Sequence, residues 1–266
     1  MTDALTTYAL CWRIERRDGV SIGLTDHDRD LLIEGQSYRA ASGITPSAIK
    51  RADGLEPDTM DVAGALTSAA LSEEDLLDGR WDGARVRLFA VDWAGGAATV
   101  PLGEGLLGAI ETQDGAFSAE LRGGAALLDR AVVEATAPAC RAELGDRRCR
   151  VAMGARRRFA RVLAADDRVL TLDREEPAAN AYGAGLLRWF GGANAGLESA
   201  IAASDGATLT LRLPPRHAPA AGSLVELIEG CDKRFETCRD RFANALNFRG
   251  EPHLPGIDLL TRYPGA

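Results

Sequence analysis

Short runs in which apolar and polar residues alternate are the dominant pattern of this 266-residue sequence. In the first run the larger apolar residues are Tyr8, Leu10, Trp12 and Ile14. A period of two residues is that of a half-buried β-strand, because successive side chains of a strand point to opposite faces. Asp18-Gly19 follows as a hairpin signal. The chain therefore begins with a predicted pair of antiparallel strands.

The same pattern of strands and tight turns continues through both halves of the chain. In the first half it predicts strand pairs at residues 31–33 and 37–39, 86–93 and 98–102, and 106–111 and 116–121. In the second half it predicts strands at residues 161–163, 169–172, 208–213 and 224–228. The glycine-rich segments 103–105 and 183–185 lack the strand–glycine–helix context of a nucleotide-binding loop, and we interpret both as turns. The predicted fold class is mainly β with short helices.

Two helices and a domain boundary are predicted between these halves. Ser72 can cap a short helix, Asp75 lies at its third position, and Gly79 ends it. A second helix is predicted from residue 125 to about residue 134, and Pro138 closes that segment. We therefore expect an N-terminal β-rich domain at residues 1–135 and a second β-rich domain at residues 136–246. Residues 247–266 are rich in proline and glycine and are predicted to be an extended C-terminal arm.

The balance of charge argues against one class of function. The formal net charge is −8, whereas a protein that grips nucleic acid over its whole surface needs an excess of lysine and arginine. An acidic wall would repel phosphates, so a conduit through which DNA slides remains compatible with the composition.

The distribution of apolar residues indicates in which cellular compartment the protein is made. No apolar run approaches the roughly 20 residues that span a bilayer. The first residues also lack the basic-then-apolar order of a signal peptide. We expect no membrane segment and synthesis in the cytoplasm, where thiols stay reduced unless they hold a metal.

Four of the five cysteines form two pairs. Six residues separate Cys231 from Cys238, eight separate Cys140 from Cys149, and 81 lie between the pairs. Two pairs of cysteines are what a tetrahedral thiolate metal site or a four-thiolate iron–sulfur cluster needs. The fifth cysteine, Cys11, lies inside the first predicted strand, and we interpret it as a small packed residue.

The gaps within the pairs leave several states of these thiols open. Structural zinc sites usually draw each pair from a knuckle with two to four intervening residues, which is tighter than here. Cys231, Phe235 and Cys238 follow helical spacing. If that helix is continuous, the two cysteine Cα atoms lie about 10 Å apart, beyond the roughly 7 Å that a disulfide tolerates. A cluster accepts wider gaps, and free buried thiols are its main rival.

A basic segment surrounds the first cysteine pair. Residues 141–161 include eight arginines and two acids, although the chain as a whole is acidic. Guanidinium groups beside four thiolates would stabilise the negative charge of a cluster. A solvated basic face, or a patch for an acidic partner, is the alternative interpretation.

Two other segments are candidates for function. Asp26-His27-Asp28-Arg29-Asp30 places an imidazole beside carboxylates, which can act as base or metal ligand, but such a segment is more often a solvated hairpin end. Trp189-Phe190-Gly191-Gly192 is interpreted as a packing element or interface anchor, because no basic stripe interleaves with it. Neither segment gives us a catalytic residue.

The C-terminal segment from Gly230 to Gly256, with Cys231, Cys238 and the run Asn247-Phe248-Arg249-Gly250-Glu251-Pro252, resembles the C-terminal signature of phage tail-tip proteins. These include the lambda-type minor tail protein L and the hub proteins of gene transfer agents. The stretch from Leu24 to Leu31, with Tyr38 and Ser42-Gly43-Ile44, is similar to the opening of the gene-transfer-agent branch. Together the two stretches extend the resemblance over nearly the whole chain.

The resemblance implies a structural hub of the virion tail tip rather than an enzyme. It implies two β-barrel-like domains, the second closed by a [4Fe–4S] cluster on Cys140, Cys149, Cys231 and Cys238, with zinc as the alternative metal. It also implies a homotrimer between the distal tail protein ring and a central, megatron-like tip protein, through which DNA passes without specific binding. An iron–sulfur or hydrolytic enzyme of the baseplate is the alternative function.

Overall fold

A computed structural model describes residues 7–40, 45–46, 59–65, 72–95, 99–113, 116–123 and 133–254. The chain divides into two compact units, Met1–Ala131 and Val132–Ala266. The helix predicted at residues 125–134 falls almost wholly on residues outside the described ranges. Within those ranges, no helix is both long enough and apolar enough to cross a membrane.

The first unit is a nine-stranded sheet with one short helix. Its elements are β1 (Tyr8–Glu15), β2 (Ser21–Thr25), β3 (Leu31–Ile33), β4 (Gln36–Ala40), β5 (Thr45–Pro46), β6 (Thr59–Ala65), α1 (Glu73–Leu77), β7 (Arg85–Asp92), β8 (Thr99–Gln113) and β9 (Ala116–Gly123). The strand order is β3-β4-β2-β1-β7-β8-β9-β6-β5. Most pairs are antiparallel, while β2 and β4 run parallel.

The prediction of a barrel-like first domain is wrong for the part of the chain that the structure describes. The sheet there ends at β3 and β5, which do not pair with each other. Closure requires the two outer strands to pair at a matched register. With three and two residues, these strands have few backbone groups to offer.

Strand β1 lies at the centre of this unit and is covered on both faces. Trp12 and Ile14 belong to a core cluster with Trp81, Val86 and Leu88. On the other face, Ala9 and Cys11 pack with Ile33, Tyr38 and Val91. The sequence predicted a half-buried strand, but both Cys11 and Trp12 are fully buried. Cys11 is thus a packed core residue, as its pattern predicted.

Residues 103–105, predicted to be a turn, lie inside the 15-residue strand β8. The strand is irregular where it pairs with β7, between Leu88 and Phe89. Gly105 approaches β9 closely, since a Cβ atom there would lie 2.6 Å from the carbonyl oxygen of Arg122. Glycine at this position therefore allows two strands to meet rather than making a turn.

The second unit is a closed six-stranded barrel. Its elements are β10 (Arg157–Asp166), β11 (Val169–Leu172), β12 (Leu186–Trp189), β13 (Glu198–Asp205), β14 (Thr208–Leu211), β15 (Leu224–Ile228) and α2 (Phe235–Asp240). The strand order is β10-β11-β14-β13-β12-β15, and β10 pairs with β15 to close it. Predicted strands 169–172 and 224–228 are confirmed, whereas β12 and β13 were not predicted.

Two long strands turn the corners of this barrel. Strand β10 pairs with β15 through its first half and with β11 through its second, and its register shifts between Val162 and Ala164. Strand β13 has a similar shift between Ile201 and Ala203. Such irregularities bend a strand so that a sheet can close on itself. The interior is filled by thirteen residues, among them Leu170, Leu187, Trp189, Leu209 and Leu227.

Candidate metal centre

All four paired cysteines lie outside the barrel strands, in the segments that flank them. Cys140 and Cys149 precede β10, Cys231 lies three residues after β15, and Cys238 lies in α2. Helix α2 begins at Phe235, so Cys231 is not helical and the continuous helix considered from sequence is not formed. All four are nevertheless free thiols.

Thiols of the two pairs affect one another electrostatically. Burial raises the pKa of Cys238, and Cys140, Cys231 and Cys149 raise it further. Burial also raises the pKa of Cys231, and Cys140 contributes in the same direction. A neighbouring thiolate acts in this way because it disfavours a second negative charge.

The spacing of the sulfur atoms distinguishes between metals. Four sulfurs bound to one zinc at about 2.3 Å would lie about 3.8 Å apart. Among the described residues, no three of these sulfurs lie within 4.8 Å of one another. A cluster of several irons and sulfides is a larger body than a single ion, and its thiolates stand farther apart. As the structure places them, the four sulfurs are therefore too far apart to bind one zinc ion together.

Backbone amides point at two of the sulfur atoms. The amide of Lys233 donates a hydrogen bond to Cys231 Sγ, and the amide of Arg249 donates one to Cys140 Sγ, both at 3.4 Å. Hydrogen bonds to the sulfurs are a known means of tuning a thiolate-bound centre. The amide of Cys140 in turn donates to the carbonyl of Lys233 at 2.8 Å, which ties the first pair to the second.

Asn244 connects the remaining two cysteines. Its side-chain Nδ2 donates to the carbonyl oxygen of Cys149 at 2.6 Å and lies 3.7 Å from the sulfur of that residue. The thiol of Cys238 donates to the carbonyl of Asn244 at 3.4 Å, and the amide of Asn244 donates to the carbonyl of Cys238 at 2.9 Å. One asparagine thus holds two segments that are 89 residues apart in sequence.

The loop between Cys140 and Cys149 is organised by Asp146. Its carboxylate accepts hydrogen bonds from the amides of Glu143, Arg148 and Cys149 at 3.0, 2.8 and 2.6 Å. The bond from the Cys149 amide, with the two others, lowers the pKa of Asp146. Because the carboxylate satisfies three amides that no strand pairs, the loop keeps one conformation.

Glu251 fastens the C-terminal segment to the first cysteine loop. Arg141 donates to both oxygens of Glu251, at 2.7 and 2.9 Å, and the amide of Glu251 donates to the carbonyl of Ala137 at 2.9 Å. The amide of Ala137 also donates to Glu251 Oε2 at 2.9 Å. The bonds from Arg141, and after them the one from the Ala137 amide, lower the pKa of Glu251 to about 2. A Cβ atom on Gly250 would lie 2.6 Å from the carbonyl of Ala139, so glycine permits this approach.

Residues 247–254, the described part of the predicted arm, therefore pack against the cysteine loops. The amide of Arg141 donates to the carbonyl of Arg249 at 3.0 Å, and the rings of Phe235 and Phe248 meet edge to face at 5.2 Å. The extended conformation stays a prediction for residues 255–266.

Four of the eight arginines of residues 141–161 pair with carboxylates. Arg141 and Arg148 bind Glu134, and Arg157 lies 3.9 Å from Glu226. The cation that acts on Cys231 is Lys233, whose charge lowers the pKa of that thiol although burial raises it more. The structure thus favours ion pairing over the interpretation that these guanidinium groups face the thiols.

A buried ion pair joins the cysteine segments to the barrel. Glu229, which follows β15 and is buried, accepts from Arg156 and Arg241, both at 2.7 Å. Both guanidinium groups also lie over the ring of Phe242, at 4.7 and 4.9 Å. This arrangement keeps the three side chains together, because a buried charge left without its partner is strongly destabilising.

Left-handed backbone at non-glycine residues recurs beside the cysteines. Arg150, Lys233 and Ala243 have φ values of 64°, 65° and 48°. Such conformations cost about 1–3 kcal/mol each and are kept where the surroundings determine them. Arg150 and Lys233 lie one and two residues after Cys149 and Cys231, and Ala243 lies five residues after Cys238.

The segment Asp26–Asp30 has a structural role. Asp26 accepts from the amide of Leu10 at 2.7 Å, and Asp30 from the amide of Ala40 at 2.8 Å. His27 accepts through Nδ1 from the amide of Arg29 at 3.1 Å and lies 3.1 Å from Asp28. Carboxylates used to cap backbone groups favour the interpretation of a hairpin end over that of a hydrolytic site.

Sequence reasoning missed the residues that support the cysteines. Asp146, Asn244 and Glu251 carry most of the contacts, and none has a spacing rule that marks it. The one available signal was proximity, since each lies within a few residues of a cysteine or of the C-terminal signature.

Comparisons with known proteins agree with this architecture. Residues 1–152 match the family model described as "Baseplate hub protein, N-terminal attachment domain", and residues 180–258 match "Phage conserved hypothetical protein BR0599". A chain of the solved structure "Virion of native gene transfer agent (GTA) particle" is 38% identical, with a TM-score of 0.84 over 98% of this chain and 92% of that one. A search of curated proteins found no significant match.

The open sheet, the barrel and these matches define a structural protein of a phage-like tail, and hence a component of the virion. Within that class, the chain belongs to the family of baseplate hub proteins that carry this N-terminal attachment domain. The likeness to the lambda-type protein stays a prediction.

Proposed function

We propose that this protein is a hub subunit of a gene-transfer-agent tail tip. The observation that carries the proposal is the 38% identity to a chain of such a virion over 98% of the sequence. The two proteins share their fold over nearly the whole chain, with a TM-score of 0.84, and a shared place in the assembly is the simplest reason for such similarity. The carboxylates of Asp26 and Asp30 accept hydrogen bonds from backbone amides, which supports a structural role over a hydrolytic one.

The partners follow from that position. We propose a homotrimer that connects the ring of distal tail protein to a central tip protein, with DNA passing through the channel. The open sheet of the first unit affects how such a trimer could contact a sixfold ring. Two similar barrels per chain would offer six near-equivalent contacts to a sixfold ring, but an open sheet and a closed barrel offer two different surfaces.

Cys140, Cys149, Cys231 and Cys238 would hold a [4Fe–4S] cluster in this hub. When bound, the cluster supplies four iron–thiolate bonds, which join chain segments that are distant in sequence. Two observations support the proposal. The other three thiols raise the pKa of Cys238, and backbone amides donate hydrogen bonds to the sulfurs of Cys231 and Cys140. We assign the site a stabilising role, because the surrounding bonds fix loops rather than line a cleft.

Cryo-electron microscopy of intact particles tests the tail assignment. Maps of wild-type particles would be compared with maps of particles from a strain whose copy of this gene carries a C-terminal tag. We expect three copies of the six-stranded barrel at the tail tip, between the distal ring and the central tip protein, with tag density on the same subunit. Finding the tagged chain in the capsid or in another part of the particle would contradict the proposal.

A further inference from the structure

The two units of the chain differ in charge. Residues 1–131 contain 12 lysines and arginines and 22 acids, a net charge of −10. Residues 132–266 contain 19 and 17, a net charge of +2. The overall value of −8 therefore conceals an acidic first unit and a weakly basic second one, and unlike charges attract the first unit of one molecule to the second unit of another.

The barrel carries an exposed aromatic pair inside a basic rim. Phe159 on β10 and Phe190 after β12 are 52% and 53% exposed, and their rings meet at 5.6 Å with an angle of 66°. Arg157 and Arg161 flank Phe159 on the outward side of β10, and Arg188 lies on β12, which β15 separates from β10. We call these five residues the arginine–phenylalanine face.

The charge of this face is only partly balanced within the chain. Glu226 is buried between Arg157 and Arg188, at 3.9 and 3.6 Å, and Arg188 also binds Glu198 at 2.6 Å. The guanidinium of Arg161 donates to the carbonyl of Gly222 at 2.9 Å, a neutral group that does not balance its charge.

The first unit carries a face of opposite sign. Trp93, which follows β7, is 50% exposed, and its ring lies 5.0 Å from the ring of His27. His27 stands within the acidic segment that contains Asp26, Asp28 and Asp30, with Arg29 as its single basic residue. We call these residues, from Asp26 to Asp30 together with Trp93, the acidic tryptophan face.

These faces have the anatomy of protein interfaces. Aromatic residues and arginine are enriched at contact centres, and half-exposed aromatic pairs inside a charged rim are unusual on surfaces that face only water. The two faces match each other, since each has aromatic rings at its centre and their rims are of opposite charge. Because both are on the same polypeptide, a second copy of the chain supplies the missing partner for each.

We propose that the arginine–phenylalanine face of one copy binds the acidic tryptophan face of a second copy. The inference rests on the proposed homotrimer and names its contact. The two faces are different surfaces, so the contact is heterologous, and such contacts either close into a ring or continue into a filament. A threefold hub requires the closed form. The acidic segment that sequence analysis left without a function is thereby given one.

Charge reversal in the full-length chain tests the contact. Sedimentation velocity at low ionic strength would compare wild type with Arg161→Glu, Asp28→Arg and the double variant. Each single reversal places like charges together and should weaken self-association by roughly tenfold or more. The double variant restores unlike charges and should recover most of the affinity. Arg168→Glu, in an exposed turn of the same barrel, makes the same change in net charge and should have no effect.

Photocrosslinking identifies the surfaces directly. A photoreactive phenylalanine analogue at position 190 would be activated in a mixture of ¹⁴N- and ¹⁵N-labelled chains, so that mass spectrometry separates links between copies from links within one. We expect links between copies to peptides that contain residues 26–30 or Trp93.

Other outcomes overturn the inference. Association unaffected by Arg161→Glu, with crosslinks to a different surface, would exclude this contact and leave the proposed trimer standing. A chain that stays monomeric at its highest soluble concentration would exclude self-association through these faces. If crosslinks in intact particles reach only another virion protein, the partner is that protein rather than a second copy. The assignment to the tail tip is tested independently of this contact, by the cryo-electron microscopy described above.

Discussion

Asn244 is the residue through which the two cysteine segments of this protein contact each other most closely. Its side chain donates to Cys149, and its backbone exchanges hydrogen bonds with Cys238. Groups that orient metal ligands in this way usually matter nearly as much as the ligands themselves. It lies inside the C-terminal signature, six residues after Cys238, but no spacing rule assigned it a role.

Asn244→Ala should lower the free energy of unfolding of the second unit by about 1–3 kcal/mol, because the carbonyl of Cys149 loses its donor. It should also speed the loss of iron under aerobic conditions. Urea unfolding and iron content against time measure the two effects. Leu246→Ala, in the same turn and 97% exposed, is the matched control and should stay within about 0.5 kcal/mol of wild type. Equal iron retention in the two variants would remove Asn244 from the site.

Cys231→Ser removes one thiol of the proposed cluster. The expected result is loss of iron together with a fall of at least about 4 °C in the melting temperature of the second unit, since about 1 kcal/mol shifts a small domain by that much. Cys11→Ser is the control, because Cys11 packs in the first unit, where it contacts Thr25. It should leave the iron content unchanged. An unchanged melting temperature in Cys231→Ser would argue against a structural site.

At the scale of single elements, the sequence predicted α1 correctly through its cap. The hydroxyl of Ser72 accepts from the amide of Asp75 at 3.1 Å, and Leu76 is buried in the core of the first unit. Ser72→Ala should lower the unfolding free energy by about 1 kcal/mol, whereas Ser72→Asp keeps an acceptor and should cost much less. Urea unfolding followed by tryptophan fluorescence distinguishes them, because Trp81 packs in the same cluster. Equal losses in both variants would show that the cap does not stabilise the helix.

Glu176 holds the loop before β12 against the turn between β13 and β14. It accepts from Ser204 and from the amides of Asn180, Ala181 and Gly206. Burial alone would raise the pKa of Glu176, but these hydrogen bonds outweigh it and hold the pKa below the ordinary value of 4.5. A carboxyl with a lowered pKa stabilises the fold above its unfolded-state value, and that contribution disappears as pH falls through the folded-state value.

Glu176→Gln should therefore destabilise the barrel at pH 7. The difference from wild type should shrink below pH 4.5 as the wild-type carboxyl gains its proton. Urea midpoints measured from pH 7 to pH 3 check this, with Glu175→Gln as an exposed neighbour that should match wild type throughout. A difference that is constant with pH would assign the effect to packing.

Elements bounded by specific turns were the most predictable. The pair β3 and β4 was predicted from the turn residues Glu34-Gly35 between the strands. Both residues adopt the left-handed backbone that a tight hairpin needs. Strand β8 was divided in error because Gly103 and Gly105 look like a turn in sequence. Strand β13, rich in alanine, was missed because small residues give a weak alternation of hydrophobicity.

The candidate site was predictable in part. The spacing of cysteines and the family resemblance selected four thiols, and in the structure hydrogen bonds connect the segments that carry them. The arginine run was harder to interpret, since its partners Glu134, Glu226 and Glu229 come from distant segments. Long-range pairing depends on the fold, and local sequence does not record it.

At the scale of the whole molecule, the chain consists of two units with different folds. The first is an open sheet of acidic sequence, and the second is a barrel whose flanking loops carry the cysteines. The first family match, residues 1–152, includes Cys140 and Cys149, and the second, residues 180–258, includes Cys231 and Cys238. The proposed cluster would thus join the parts of the chain that the two family models describe.

Iron, acid-labile sulfide and zinc, measured together on anaerobically purified full-length chain, test the central claim most directly. A [4Fe–4S] cluster on the four cysteines predicts about four irons and four sulfides per chain, a brown colour, and zinc near background. The same preparation of Cys231→Ser should lose most of its iron. One zinc per chain, or no metal with four freely reactive thiols, would contradict the claim that an iron–sulfur cluster holds these segments together.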